Sequence, residues 1–250
     1  MIIDAHCHLT QINGSAQSAA DELLYYADKH AISKCIVCLG DKLKPQPMAK
    51  DLREDNDYIL SALEHRPDRL IGFAYASPNH PEASLAELDR CIANGPMRGI
   101  KLWICQHADH PGNRPIVERC IELGVPILQH TWIKATGNQE GESTPYHLVS
   151  LAQRYPRAQF LMAHSGGEWL QGLRIIKHTP NIFADLCGGA PEQGQTELAV
   201  KLLGAKRVVF GSDAGGRSFA SQLAKVFGAD ICEEDRGLIL AENITRMIGL

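Results

Sequence analysis

Short apolar runs alternate with amphipathic stretches along the whole chain, and the alternation predicts strands separated by helices. The runs read as strands over residues 1–5, 35–39, 71–76, 99–104, 126–130, 159–164, 181–186 and 207–213. Most are continuously apolar, which suits strands covered on both faces. The first helix is expected to open at Ser18, with Asp21 and Glu22 in its first turn and Leu23, Leu24 and Ala27 on its apolar face. Further helices are expected over 57–64, 82–93, 116–123, 146–155, 169–178, 197–203 and from about 218 onward. Residues 40–48, with two prolines and the basic residues Lys42 and Lys44, read as a loop. Eight strand–helix units without a composition break predict one α/β domain over 1–250, a (β/α)8 TIM barrel rather than a doubly wound sheet. A length of 250 residues is what such a barrel needs.

That fold locates the chemistry. Active sites of (β/α)8 barrels lie at the C-terminal strand ends, where this chain places His6 and His8, Lys101, His130, His164, Asp185 and Asp213. In the first strand, alternation puts His6 and His8 on one face with Asp4 beneath them and turns Cys7 away. A single strand-end histidine is more often a hydrogen-bonded rim residue, and a single aspartate usually caps the next helix. Four histidines and an aspartate at one end read jointly as a metal site. Three imidazoles and a carboxylate suit one divalent ion, zinc first and manganese second. Water on such an ion ionises near neutrality, and Asp213 is the candidate base for its proton. His164 is a further ligand, a proton donor or an oxyanion holder; the residue pattern leaves the three open.

In G-I-K-L-W-I, alternation sends Lys101 and Trp103 into the barrel. A lysine there must be paired or functional. It binds a substrate carboxylate, the favoured reading, or bridges to a second metal as a carbamate, or pairs with Asp185. Asp4 is expected to brace the metal histidines from below. The loop over 131–144 is long for a barrel connection and reads either as a lid carrying Trp132 and Lys134 or as a solvated excursion. Arg217 binds an anion or opens the last helix. His107 and His110 read as loop residues.

Charge and cysteines narrow the class. A formal charge of -4 gives no electrostatic reason for a nucleic-acid or anionic membrane partner, leaving a small-molecule substrate. No apolar run approaches a membrane span, and the N-terminus lacks a signal-like segment, so a cytoplasmic location is expected. Eight cysteines, mostly inside apolar runs, read as buried reduced thiols. Cys35 and Cys38 form a C-x-x-C, but on a strand the two face opposite ways, against a redox or zinc role. Barrel helices can pair between copies without a distinctive pattern, so a homo-oligomer is compatible with the chain.

The segments D-A-H-C-H, H-R-P-D-R-L-I-G-F-A, G-I-K-L, A-H-S-G-G, N-I-F-A-D, G-S-D and E-N-I-T-R, with His130 between them, run nearly end to end. With them the chain resembles the amidohydrolase superfamily, in the metal-dependent TIM-barrel branch that includes aminocarboxymuconate semialdehyde decarboxylase and related hydrolases. The resemblance implies His6, His8, His130 and Asp213 as metal ligands and His164 as acid, base, polariser or further ligand. Where many relatives follow G-S-D with an aromatic residue and proline, this chain has Ala214, Gly215 and Gly216, which implies a wider pocket floor. The leading expectation is a hydrolase that cleaves a C–O or C–N bond of a small, carboxylated substrate, with Asp213 and His164 catalytic and Lys101, Trp103, Trp132 and Arg217 contacting substrate. Alternatives are a nonoxidative decarboxylase or hydratase on the same site, a metal-binding barrel without turnover, and lactone hydrolysis without metal.

Overall fold

A computed structural model describes residues 1–10, 14–39 and 44–250. Part of the expected 40–48 loop, Lys42 included, therefore lies outside the described residues. The strands are β1 (Ile3–Leu9), β2 (Lys34–Leu39), β3 (Leu70–Gly72), β4 (Ala74–Tyr75), β5 (Ile100–Leu102), β6 (Ile127–Gln129), β7 (Phe160–Met162), β8 (Ile182–Asp185) and β9 (Val208–Val209). The helices between them are α1 (Ala16–Asp28), α2 (Ala49–His65), α3 (Pro81–Leu88), α4 (Arg114–Leu123), α5 (Pro145–Arg154), α6 (Trp169–Ile176), α7 (Gln195–Leu203) and α8 (Phe219–Phe227), with α9 (Glu233–Gly237) and α10 (Asn243–Ile248) at the end. All ladders are parallel, in the orders β1-β2-β3 and β4-β5-β6-β7-β8-β9.

The two sheets are one barrel. β3 and β4 are halves of the expected third strand: Phe73 N–H donates to Val37 O on one side and Ala74 N–H to Gly99 O on the other. The strand parts from β2 at Tyr75, whose N–H goes instead to Asn56 Oδ1 of α2 (2.7 Å) while Asn56 Nδ2 donates to Tyr75 O (3.2 Å). The last seam closes through Ala5 N→Phe210 O at 3.0 Å, Asp213 N→His6 O at 2.7 Å and His8 N→Ala214 O at 2.7 Å.

Side chains sort by strand alternation into an outer layer beneath the helices and an inner filling. Ile36, Ile71, Phe73, Leu128, Leu161 and Val209 fill the barrel, and Ile244, Met247 and Ile248 of α10 join the same cluster. Cys35 lies in the outer cluster and Cys38 in the inner one, as expected for a strand. β1 departs from the expected alternation. Its register against β2 shifts between Asp4 and Cys7, so Ile3 and Ala5 point inward, Cys7 outward, and His6 and His8 inward above the shift. This bulge moves Asp4 off the histidine face, and its Oδ1 accepts the backbone N–H groups of His6 (3.0 Å) and Ser212 (2.9 Å) instead. Asp4 thus fixes the β1–β9 seam rather than an imidazole.

Helix starts were the least legible feature. α1 begins before Ser18, because Ser15 is its cap: Ser15 Oγ accepts Ser18 N–H (3.1 Å) and Ser18 Oγ accepts Ser15 N–H (3.3 Å). α2 begins well before the expected 57, where the Asp51 carboxylate accepts Met48 N–H at 2.8 Å. Its first turns are too polar to show a periodic apolar face.

Candidate metal centre

Above the apolar filling the barrel interior turns polar. The bulge of β1 aims both imidazoles inward, with His6 Nε2 3.2 Å from His8 Nε2. Asp213, reached after β9, places Oδ1 at 3.2 Å from His8 Nε2 and 3.9 Å from His6 Nε2. β5 brings Lys101 Nζ to 2.9 Å from His6 Nε2. His164, after β7, has Nδ1 at 3.9 Å from Asp213 Oδ2. Both His164 (φ 62°) and Asp213 (φ 61°) hold left-handed backbone, which costs a non-glycine residue about 1–2 kcal/mol. Gly167 N→His164 O (2.9 Å) and Asp213 N→His6 O (2.7 Å) hold them there. Gly211 of the G-S-D segment has a packing reason: a Cβ would stand 2.3 Å from Asp185 Oδ1.

Hydrogen bonds behind the rings assign their tautomers. His6 Nδ1 donates to Asp185 Oδ2 at 2.8 Å, which leaves the lone pair on Nε2. His8 Nδ1 donates to Cys38 O at 3.3 Å, which turns Nε2 toward Asp213. His130 reverses the pattern: Nε2 donates to Glu142 Oε1 at 3.0 Å, so the lone pair sits on Nδ1, 3.3 Å from His164 Nε2. Burial pushes His6, His130 and His164 below the usual imidazole range, so these rings are neutral. Burial opposes ionisation of Asp213, but His8 and His6 outweigh it and draw it down to about 2. Burial likewise opposes charge on His8, and the Cys38 sulfur and Asp213 override it, pushing its pKa up to about 10.

These residues fit a divalent ion. His8 Nε2 stands 3.2 Å from both His6 Nε2 and the ionised Asp213 Oδ1. The positive charge gathered there is a proton on His8 and the Lys101 ammonium. A divalent cation in place of that proton would accept both imidazole lone pairs beside the carboxylate. The carboxylates behind His6 and His130 are the usual partners of metal-bound histidines. His6, His8, Asp213, Lys101 and His164 converge; His130 joins them through His164. Trp132 lies 4.8 Å from the His164 ring, and Trp103 lies 6.5 Å from that of His130. With the cluster they bound a cavity of about 350 Å3. Arg217 stands at the edge, its Nε 4.0 Å from Asp213 Oδ2, where a second cavity of about 460 Å3 opens toward Tyr26 and Phe219.

Several expectations change. Asp185 pairs with His6 rather than Lys101. The 131–144 segment does not hang free: Trp132 N–H bonds Ser143 O and Ile133 N–H bonds Gly166 O, both at 2.8 Å. Lys134 is committed to Glu142 at 2.7 Å. His107 stacks on His147 with ring centroids 4.0 Å apart, and His110 Nδ1 accepts Gly112 N–H at 3.1 Å. Two residues escaped the sequence reading. Glu142 sits in a wholly polar loop, where hydropathy gives no sign of its burial. Cys187 lies in a stretch after β8 that reads as ordinary loop, yet its Sγ is 2.9 Å from Asp185 Oδ2, 3.0 Å from His6 Nδ1 and 3.2 Å from His164 Nδ1.

Comparison with known proteins agrees with this architecture. The family model described as Amidohydrolase matches residues 3–250. A 2-amino-3-carboxymuconate-6-semialdehyde decarboxylase from Dictyostelium discoideum is 25% identical over 223 residues, 74% of this chain; the chain spans 62% of that protein's length. The solved 2,6-dihydroxybenzoate decarboxylase from Rhizobium superposes with a TM-score of 0.81 at 18% identity, covering 99% of this chain and 98% of its own. A dihydroxybenzoic acid decarboxylase from Polaromonas, with bound manganese and the inhibitor 2-nitroresorcinol, superposes with a TM-score of 0.81 at 18% identity, covering 100% of this chain and 97% of its own. Other matched folds include carboxyvanillate decarboxylases and a hydratase. These relatives overturn the expectation of a C–O or C–N hydrolase, since their named reactions break a C–C bond to a carboxylate or add water. They support the decarboxylase or hydratase alternative. With its barrel, its polar strand ends and a family match over almost its whole length, the chain belongs to the amidohydrolase family of metal-dependent enzymes.

Proposed function

We propose that the chain is a metal-dependent lyase that releases the carboxylate of a small carboxylic acid as CO2 without oxidation. The observation that carries this reading is Lys101, an ammonium 1% exposed that borders the 350 Å3 cavity. Asp185, the ion-pair partner considered for it, is hydrogen-bonded to His6, and Lys101 Nζ meets the neutral His6 Nε2 at 2.9 Å. A substrate carboxylate brings the counter-charge that a buried lysine needs. In the reaction the C–C bond to the carboxylate breaks, its electron pair stays on the substrate carbon, and a proton replaces CO2 there.

A divalent ion held by His6, His8, His130 and Asp213 would supply positive charge for the substrate oxygens, with manganese the first ion to test and zinc the second. Lys101 orients the carboxylate. Trp103 and Trp132 flank the substrate and keep water from the carbon. His164, neutral and with Nε2 3.3 Å from the His130 Nδ1 lone pair, exchanges the proton at the cavity wall. Arg217 offers a second anionic contact at the mouth.

The test is turnover of aromatic and unsaturated carboxylic acids in H2-18O. CO2 release with no 18O in the organic product is expected. Solvent 18O in a product that has lost no carbon would replace decarboxylation with hydration.

A further inference from the structure

The loop over 131–144 carries a group with no evident business in a surface connection. Glu142 is 1% exposed, and a buried carboxylate is costly unless fully partnered. One oxygen, Oε2, takes Lys134 Nζ at 2.7 Å and Gln139 N–H at 3.0 Å. The other, Oε1, goes to His130 Nε2 at 3.0 Å. A carboxylate that served only to fasten the loop would be satisfied by Lys134 and the backbone. The bond to His130 does something further: it fixes the proton on Nε2 and turns the Nδ1 lone pair toward the cluster. The loop is tied down on both sides of this contact, through Ile133 N→Gly166 O (2.8 Å) and Ala108 N→Ser143 Oγ (2.9 Å).

We propose that Glu142 is a positioning residue of the metal centre, so that docking of the 131–144 loop and metal occupancy are coupled. The docked loop presents His130 as an Nδ1 ligand, and an opened loop leaves that ring free to turn. Coupling of this kind is reciprocal: docking raises metal affinity, and the metal raises loop stability by the same factor. The proposal rests on the metal reading but not on the choice of decarboxylation.

The test is titration of the full chain with Mn2+ against a chromophoric chelator, for wild type, Glu142→Gln and Glu142→Ala. Loss of the partner behind a metal-bound histidine weakens binding by roughly 10–100-fold. The alanine variant is expected in that range. The glutamine variant, which keeps an acceptor without charge, is expected between it and wild type. Hydrogen exchange on wild type needs no variant: backbone amides of 133–143 are expected to slow when Mn2+ is added. An alanine variant that binds Mn2+ within twofold of wild type overturns the proposal, as does loop exchange indifferent to the ion. A wild type that binds no divalent ion overturns it together with the metal reading. Coupling of the expected size in a chain that releases no CO2 supports it and overturns only the choice of reaction.

Discussion

At the scale of single residues, buried carboxylates in this barrel have divided roles. Asp185 and Glu142 sit behind imidazoles and decide which nitrogen faces the cluster. Asp213 sits among the rings as an ionised acceptor. Asp4 is bonded to two backbone N–H groups and leaves Oδ2 without a partner among the described residues. Burial raises Asp4 from the ordinary 3.8 to about 7, only partly offset by those hydrogen bonds. Folding therefore takes up a proton at Asp4. The stability it contributes is full below the unfolded value and is lost as pH rises through the folded one. Asp4→Asn keeps an acceptor for the N–H groups of His6 and Ser212 and removes the charge. The variant is expected to gain on wild type by about 2 kcal/mol between pH 5 and pH 8, read from urea unfolding at each pH. A constant difference across that range would refute the assignment.

At the scale of elements, α1 shows what local sequence does not reveal. Its exit is a Schellman turn: Ile32 N–H reaches Ala27 O at 3.1 Å and Ala31 N–H reaches Asp28 O at 3.2 Å, with Ala31 at φ 55°. Glycine is the usual residue there, and alanine hides the stop. Removing the left-handed penalty outweighs the added freedom of the unfolded chain, so Ala31→Gly is expected to stabilise by about 0.5–1 kcal/mol. A thermal midpoint no higher than that of wild type would count against it. The same limit applies across the chain. Strand positions were legible because buried parallel strands are written as apolar runs, and the polar strand ends followed from the fold. The β1 bulge was not legible, because register is decided by pairing with β2 and by bonds to residues 210–214 after β9. Asn56, which replaces a ladder bond at Tyr75, and Glu142, which reaches His130 across a loop, act through three-dimensional neighbours that spacing does not encode.

At the scale of the whole molecule, the candidate metal site lies across the place where the barrel closes. β9 is only Val208–Val209, and the seam to β1 depends on separate bonds from Ala5, His8 and Asp213. His6 and His8 stand on one side of that seam and Asp213 on the other. An ion held by these residues joins the first and last strands and binds only the closed barrel, so its binding energy adds to folding. At free metal about a hundred times the dissociation constant, the gain is about 2.7 kcal/mol, which for a chain of this size corresponds to a midpoint shift of roughly 5–10 °C. Scanning calorimetry with Mn2+ and with a chelator is expected to show that shift in wild type. His8→Ala, at a ring that borders the cavity rather than the apolar filling, is expected to unfold at the same midpoint with the ion and with the chelator. An equal metal-induced rise in His8→Ala would place the stabilising ion away from the seam and break the link between closure of the barrel and assembly of its site.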